Sequence, residues 1–259
     1  MQNELKVALV QADLVWENPP KNRTHLEKHI SSMEEGVDLI VLPEMFTTGF
    51  TMKPDGLSEA MDGTTVKWMQ HIAQQRQTAI VGSLIISEHD LLYNRLIFVH
   101  PDGEIDTYDK KHTFTLAGEH EVYESGQINS LISYKGWHIR PLICYDLRFP
   151  VWARNTDSYD LLLYVANWPS VRISAWDALL KARAIENMSY TIGVNRVGLD
   201  GNGHEYPGHS GVYDVLGNRL DDIPSKKEAI GMVTLNKSHV SKYRNKLGFL
   251  NDRDSFNLE

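Results

Sequence analysis

The chain has 259 residues and carries 26 lysines and arginines against 34 aspartates and glutamates, so its formal net charge at pH 7 is −8. Hydrophobic residues make up 42% of the chain, which supplies a large buried core and excludes disorder as its main character. The acidic balance, without any block of lysine or arginine, excludes the attraction on which nucleic-acid and anionic-membrane binding depends. We therefore expect a small-molecule partner, no nucleic acid and no membrane.

The single cysteine, Cys144, excludes an internal disulfide and a zinc site built from several cysteines. The first 16 residues mix charged side chains into a short apolar stretch, unlike the basic and then apolar order of a signal peptide. No apolar run reaches the roughly 20 residues that span a bilayer. These features predict a cytoplasmic protein.

Apolar runs of strand length recur along the chain, over 6–11, 38–43, 79–86, 94–100, 137–144, 160–167, 190–197 and 230–235. Several, such as VDLIVLPE and YDLLLYVAN, are almost wholly apolar, which is typical of strands buried on both faces. Helical spacing predicts helices over 22–35, 64–77 and 175–187, and Gly36 is expected to end the first. The dipeptides at 102–103 and 135–136 predict hairpins.

Strands and helices alternate early and late in the chain, with paired strands between them. No linker rich in proline, glycine or serine divides the sequence. We therefore predict a single α/β domain over 1–259, in which two β/α layers pack together. The polar tail at 240–259 is expected to dock on a partner subunit or to fray.

Cys144 ends an apolar strand in PLICYDLRFP, where the chain becomes polar and turns. A thiolate in that position can act as a nucleophile, and the backbone N–H groups that follow it can point towards a developing oxyanion. The alternative for an isolated cysteine at a strand end is a small buried hydrophobic residue.

Two other segments carry candidate charges, one at the end of an apolar strand and one after a predicted hairpin. Glu44 follows a proline in VDLIVLPE, so the strand stops there and the carboxylate turns towards a cleft or the surface. Lys110 and Lys111 are adjacent in YDKKH, and because neighbours on a strand point to opposite faces, one of them can point inward. Glu119 offers a carboxylate to such a lysine. The alternative for each charge is a solvated surface.

Glu44 in LPE, Lys110 in YDKKH and Cys144 in CYDLRFP, in this order, resemble the Glu-Lys-Cys constellation of the nitrilase superfamily of carbon-nitrogen hydrolases. The resemblance covers nearly the whole chain, from KVALVQAD through NWP, ARAIEN and NRVG to GHSGVYDVLGN. More narrowly, EMFTTGF, YDKKHTF, CYDLRFPVWAR and ANWPSVR are similar to the omega-amidase branch. That branch hydrolyses the terminal amide of 2-oxo dicarboxylic acid monoamides such as 2-oxoglutaramate and 2-oxosuccinamate.

The resemblance implies a four-layer α-β-β-α sandwich, a homodimer or larger homo-oligomer, and no metal, nucleotide or organic cofactor. It also implies that Cys144 forms a thioester and that Glu44 moves the protons. It implies as well that Lys110 and the backbone N–H of Tyr145 stabilise the oxyanion, and that Glu119 helps to position Lys110 and the substrate.

The choice between the two lysines also rests on the resemblance. The family pattern Tyr-x-Lys-x-His fits Tyr108, Lys110 and His112, which leaves Lys111 at the variable position.

A guanidinium binds a substrate carboxylate better than any other side chain because its fork matches the two oxygens. Arg172, which follows the NWP motif, and Arg148, close to the nucleophile, are the candidates. Phe46, Phe114 and Trp168 are expected to form walls of the pocket, although aromatic side chains often fill cores instead.

His25 and His29 have the i, i+4 spacing of a two-ligand helix face, but their charged neighbours favour a solvated face without metal. Two alternatives for the function remain. The same scaffold acts on another substrate, such as an aliphatic nitrile, an N-carbamoyl amino acid or a modified glutathione, or it serves as a noncatalytic binding module.

Overall fold

The computed structural model describes residues 2–257, and that part of the chain contains thirteen strands and four α-helices. The strands are β1 (Glu4–Gln11), β2 (Leu39–Val41), β3 (Ala79–Glu88), β4 (Leu91–Val99), β5 (Ile105–Asp109), β6 (Ile132–Tyr134), β7 (Trp137–Ile143), β8 (Leu161–Ala166), β9 (Tyr190–Asn195), β10 (Val197–Leu199), β11 (Glu205–Pro207), β12 (Gly211–Tyr213) and β13 (Ala229–Asn236). The helices are α1 (Pro19–Ser31), α2 (Thr64–Arg76), α3 (Ile173–Asn187) and α4 (Lys237–Leu247).

Two sheets carry the fold. One has the strand order β13-β1-β2-β3-β4-β5, the other has the order β12-β9-β8-β7-β6, and β10 and β11 form a separate ribbon. The central strands of each sheet run parallel, and antiparallel strands form the edges. Helices α1, α2 and α3 each connect two parallel neighbours, as expected for βαβ units.

Side chains alternate between the faces of each sheet, so each strand packs on two layers. Leu5, Val7 and Leu9 of β1 pack in the core between the two sheets. Ala8 and Val10 of the same strand pack on the other side, against α1 and α2. The order of layers is therefore α1 and α2, the six-stranded sheet, the five-stranded sheet and α3. This order confirms the expected four-layer α-β-β-α sandwich.

Helix α3 forms the outer layer on the five-stranded sheet and buries Trp176, Leu180 and Ala184. It packs closely because Gly193 in β9 has no side chain. A Cβ at Gly193 would lie 2.5 Å from Leu180 Cδ1 and 2.6 Å from Trp176 Cζ2. This close contact fixes the helix that follows the NWP segment.

Most of the predicted elements are confirmed, including the hairpins that join β4 to β5 and β6 to β7. Gly36 does not end the first helix, so that expectation is wrong. Helix α1 stops at Ser31, five residues earlier, because Ser32 already ends the helical hydrogen bonding. None of the helices in residues 2–257 is long and apolar enough to cross a bilayer.

The tail contains a helix that the sequence reading did not predict. Helix α4 begins directly after β13, buries Val240, and is capped by the Asn236 side chain, which accepts the Ser238 N–H. The Arg244 guanidinium donates to the backbone oxygens of Met188 and Tyr159 at 2.8 and 2.5 Å. These contacts dock α4 on its own chain rather than letting it fray. The last two residues of the 240–259 segment lie outside the described residues.

Candidate active site

The site residues stand directly after strands of both sheets, at one end of the sandwich. Glu44 lies three residues beyond β2, and Lys110 follows β5. Cys144 and Asn167 follow the neighbouring parallel strands β7 and β8 of the other sheet. Because parallel strands end at the same edge of a sheet, the polar residues that follow the strands of each sheet lie at the same end of the sandwich.

Lys110 lies between two carboxylates. Its Nζ is 2.9 Å from Glu44 Oε1 and 3.0 and 2.9 Å from the two oxygens of Glu119. All three side chains are almost completely buried. Burial alone would lower the pKa of Lys110, but the two carboxylates outweigh it and raise the pKa above its ordinary value. Lys110 is therefore a charged ammonium, and Lys111 beside it is partly exposed.

The cluster of Glu44, Lys110 and Glu119 can accept one more proton. Burial raises the pKa of Glu119, and the charge of Glu44 raises it further, against the lowering effect of Lys110. Two carboxylates share one ammonium here, so protonation of one carboxylate leaves a neutral cluster. A group next to this cluster can therefore pass a proton to it without creating an unpaired buried charge.

Two asparagines hold the carboxylates in place. The side-chain N–H₂ of Asn94 donates to Glu44 Oε1 at 2.8 Å and to Glu119 Oε1 at 3.1 Å. The backbone N–H of Asn167 donates to Glu44 Oε2 at 2.8 Å, and its side chain donates to the backbone oxygen of Glu44 at 2.6 Å. The sequence reading missed Asn94. Its signal was a polar amide in β4, a strand that is mostly apolar apart from the neighbouring Arg95, and a buried amide requires hydrogen-bond partners.

Cys144 faces the cavity and is partly exposed. Its backbone has φ +41°, in the left-handed region, which costs a non-glycine residue on the order of 1–3 kcal/mol. Asp146 holds this turn, because its carboxylate accepts the Ile143 N–H at 3.0 Å. The same carboxylate accepts the Tyr108 hydroxyl at 2.8 Å and the His112 N–H at 2.9 Å. The YDKKH and CYD segments are thus joined.

The thiol of Cys144 keeps its proton in the free site. Burial raises its pKa well above the ordinary value, and the charge of Glu44 adds to that effect, while Lys110 opposes it. A thiolate is the reactive form of cysteine, so a base must take this proton when substrate is bound.

A cavity of about 440 Å³ opens in front of Cys144 and Lys110. The predicted residues Tyr145, Phe114, Trp168, Arg148 and Arg172 all line it. The Arg172 guanidinium lies 5.3 Å from the ring centre of Phe114, and that of Arg148 lies 4.8 Å from the Trp168 ring. The Trp168 indole N–H donates to the backbone oxygen of Arg172 at 2.8 Å, which links the NWP segment to the arginine.

Phe46 does not line the cavity, so its predicted role as a pocket wall is wrong. It is completely buried on the helix side of the six-stranded sheet, where its ring lies 6.1 Å from that of Trp68. Phe50, from the same EMFTTGF segment, lines the cavity instead, and Lys110 Nζ is 5.1 Å from its ring centre. The sequence reading also missed other lining residues, which come from loops and from β11: Trp16, Lys53, Asp200, Asn202, His204 and Tyr206.

Residues 6–245 match the carbon-nitrogen hydrolase family. The chain belongs to this family. Omega-amidase YafV of Escherichia coli K12 is 43% identical to this hydrolase over 254 residues, which covers 98% of each chain. The 2-oxoglutaramate amidase of Bacillus subtilis 168 is 29% identical over 251 residues, covering 95% of this chain and 96% of that one.

A solved structure has the same fold throughout. It is a CN-hydrolase superfamily protein of Xanthomonas campestris with an arsenic adduct in its active site, and it is 39% identical to this hydrolase with a TM-score of 0.97. The alignment covers 100% of both chains. These relationships confirm the nitrilase superfamily and its omega-amidase-like branch. They identify the chain as a cysteine-dependent carbon-nitrogen hydrolase.

Proposed function

We propose that this hydrolase removes the terminal amide of 2-oxo dicarboxylic acid monoamides, namely 2-oxoglutaramate and 2-oxosuccinamate, and releases ammonia. The observation that carries the proposal is the cavity itself. Cys144 faces it beside the buried pair of Lys110 and Glu44, and it is lined by Arg148 and Arg172. The names of the relatives, omega-amidase and 2-oxoglutaramate amidase, support the same substrate class.

The proposed reaction begins with proton transfer from the Cys144 thiol to Glu44. The sulfur attacks the amide carbon, a carbon–sulfur bond forms, and the carbonyl electron pair moves to the oxygen. The Lys110 ammonium and the backbone N–H of Tyr145 stabilise that oxyanion. The buried cluster favours the proton transfer because it can accept one proton while Lys110 stays charged.

In the second half the oxyanion collapses and the carbon–nitrogen bond breaks. Protonated Glu44 gives its proton to the leaving nitrogen, so ammonia departs and a thioester to Cys144 remains. Glu44 then takes a proton from a water molecule, whose oxygen attacks the thioester carbon. Collapse of this second intermediate releases the acid, and the proton returns from Glu44 to Cys144.

Glu119 has a positioning role in this proposal. Both of its oxygens accept hydrogen bonds from Lys110, and Oε2 also accepts the Phe114 N–H at 2.5 Å. It therefore fixes the lysine at one point and ties it to a segment that lines the cavity. Asn94 joins Glu119 to Glu44 and has the same kind of role.

We propose that Arg172 binds the far carboxylate of the substrate, with Arg148 as its neighbour and Phe114 and Trp168 as the pocket walls. A charge-assisted hydrogen bond of about 1.5–3 kcal/mol corresponds to a roughly 10- to 150-fold change in binding. We expect Arg172→Ala to raise KM for 2-oxoglutaramate by that range and to leave kcat within a few-fold.

Steady-state ammonia release checks this expectation. An uncharged amide is the control, since its KM should be unaffected by the change. The backbone oxygen that accepts the Trp168 N–H remains in the alanine variant, so the NWP segment keeps its contact. An unchanged KM for 2-oxoglutaramate, with a raised KM in Arg148→Ala, would give the carboxylate to Arg148 instead.

We also propose a homodimer or larger assembly. Ile185 on α3 is 44% exposed, and it lies against Gly217 beside Leu216, which is 40% exposed. An outward apolar patch on a sheet-covering helix is suited to a twofold contact, and the part of the 240–259 tail that follows α4 would reach over the partner. Light scattering at micromolar concentration tests this, and a particle of 29.5 kDa would contradict it.

The domain count and the compartment are proposals as well. Because the two sheets share one core, we propose that 1–259 act as a single domain, which one cooperative unfolding transition would support. A reactive thiol as the only cysteine suits a reducing compartment, so we propose the cytoplasm, which cell fractionation tests.

A further inference from the structure

His25, His29 and Glu228 meet on the surface, outside the active-site cavity. The two histidines lie one turn apart on α1, and Glu228 directly precedes β13, 203 residues beyond His25. The sequence analysis placed these histidines on a solvated face because of their charged neighbours, and the local sequence gives no sign of the distant Glu228. In the fold their side chains are only 33% and 22% exposed.

The three ligand atoms converge on one point. His25 Nε2 and His29 Nε2 are 3.3 Å apart, and Glu228 Oε1 lies 2.5 Å from the first and 3.5 Å from the second. The two rings are inclined at 85°, so their Nε2 atoms approach each other from different directions. Bond lengths of about 2.0–2.1 Å to a tetrahedral zinc ion place neighbouring ligand atoms about 3.3 Å apart. Two of the three separations already have that size.

The third separation is a hydrogen bond between His25 and Glu228. A metal ion replaces this hydrogen bond when the ring proton of His25 lies on Nδ1, and it draws the two ligand atoms apart to the ligand spacing. Glu228 is held for this role, because its Oε1 also accepts the backbone N–H of Asp13 at 2.9 Å. The partial exposure of all three side chains leaves access for the ion and a position for water.

We propose that His25, His29 and Glu228 bind one divalent first-row transition metal ion, with Zn²⁺ as the representative. Imidazole nitrogens suit Zn²⁺, Ni²⁺ and Cu²⁺, whereas Ca²⁺ and Mg²⁺ prefer oxygen ligands. The ion joins α1 to the start of β13, an edge strand of the six-stranded sheet. The site is separate from the amide chemistry, and its effect is on stability.

Titration calorimetry with ZnCl₂ tests the proposal on full-length Cys144→Ala protein free of a histidine tag. The substitution is needed because the active-site thiol is itself a zinc ligand. We expect one equivalent of Zn²⁺ to bind with a dissociation constant below 100 µM. At a hundredfold excess over that constant, the melting temperature should rise by about 5 °C or more, and CaCl₂ should not raise it.

In the same background, His29→Ala and His25→Gln should each weaken Zn²⁺ binding at least tenfold, since each removes an imidazole ligand. His71→Ala, an exposed histidine on α2, is the matched control and should bind as the parent does. The melting temperatures of the metal-free variants show that they fold. Absence of saturable binding in the parent would overturn the proposal, as would unchanged affinity in both His29→Ala and His25→Gln.

Discussion

We expect Cys144→Ala to lower the rate of ammonia release from 2-oxoglutaramate by at least about 10⁴-fold, because no covalent route remains without the sulfur. Cys144 is the only cysteine of the chain, so a thiol titration that finds no free thiol confirms that the purified variant carries the substitution. The side chain is small and faces the cavity, and the melting temperature should therefore stay close to that of the parent.

Glu44→Gln should be about as damaging, for two reasons. It removes the base, and it places an amide N–H₂ where the carboxylate now accepts hydrogen bonds on both oxygens from Lys110, Asn94 and Asn167. Because Cys144 and Glu44 act in the same step, the double variant should lose little more than either single variant. Additive losses, or an active Cys144→Ala enzyme, would contradict the thioester route.

The second large effect concerns the two adjacent lysines. Lys110→Met should lower kcat/KM by on the order of 10²–10³-fold or more, as removal of an oxyanion-stabilising group does. Lys111→Met should be nearly silent, because Lys111 points outward and its Nζ contacts Gln127 Oε1 at 2.9 Å. The kinetics of ammonia release distinguish the two, and the reverse order of effects would give the oxyanion role to Lys111.

Lys110→Met has a structural cost that a second variant controls. The change leaves Glu44 and Glu119 buried without their shared cation, which costs on the order of 3–5 kcal/mol until one of them takes up a proton. Lys110→Arg keeps the positive charge and should keep most of the stability. It should still be a poor enzyme, because a planar guanidinium cannot put its charge at the same point.

The architecture explains why the site depends on the whole sandwich. Glu44 and Lys110 come from the six-stranded sheet, and Cys144 and Asn167 come from the five-stranded sheet. The hydrogen bonds from Asn167 to Glu44 cross from one sheet to the other. Glu44 and Cys144 are therefore placed next to each other only when the core between the two sheets is formed.

Sequence reasoning found the elements whose signal is local. Apolar runs located the main strands because most of them are buried on both faces, and the ends of two such runs gave Glu44 and Cys144, while Lys110 was found after a predicted hairpin. No single motif identified the chemistry. The reaction class was predicted from the order of the three motifs, through their resemblance to a family.

Contacts between segments that lie far apart in the chain could not be predicted from the sequence. Phe46 and Phe50 are both aromatic residues of EMFTTGF, and only the turn after Glu44, where Met45 has φ +41°, decides which one faces the cavity. Asn94 and Glu228 act through partners far away in the chain. Helix α4 has a polar sequence that resembles a tail, and it is held by Val240 and Arg244 on one side only.

The most direct test of the proposed function is ammonia release from a panel of substrates. The panel contains 2-oxoglutaramate, 2-oxosuccinamate, an aliphatic nitrile and an N-carbamoyl amino acid, each assayed with the parent enzyme and with Cys144→Ala. We predict that the two 2-oxo acid amides are hydrolysed with kcat/KM at least about 100-fold above the other compounds, and that Cys144→Ala abolishes the activity. An enzyme that hydrolysed the nitrile or the carbamoyl compound and left both 2-oxo acid amides untouched would contradict the proposed substrate class.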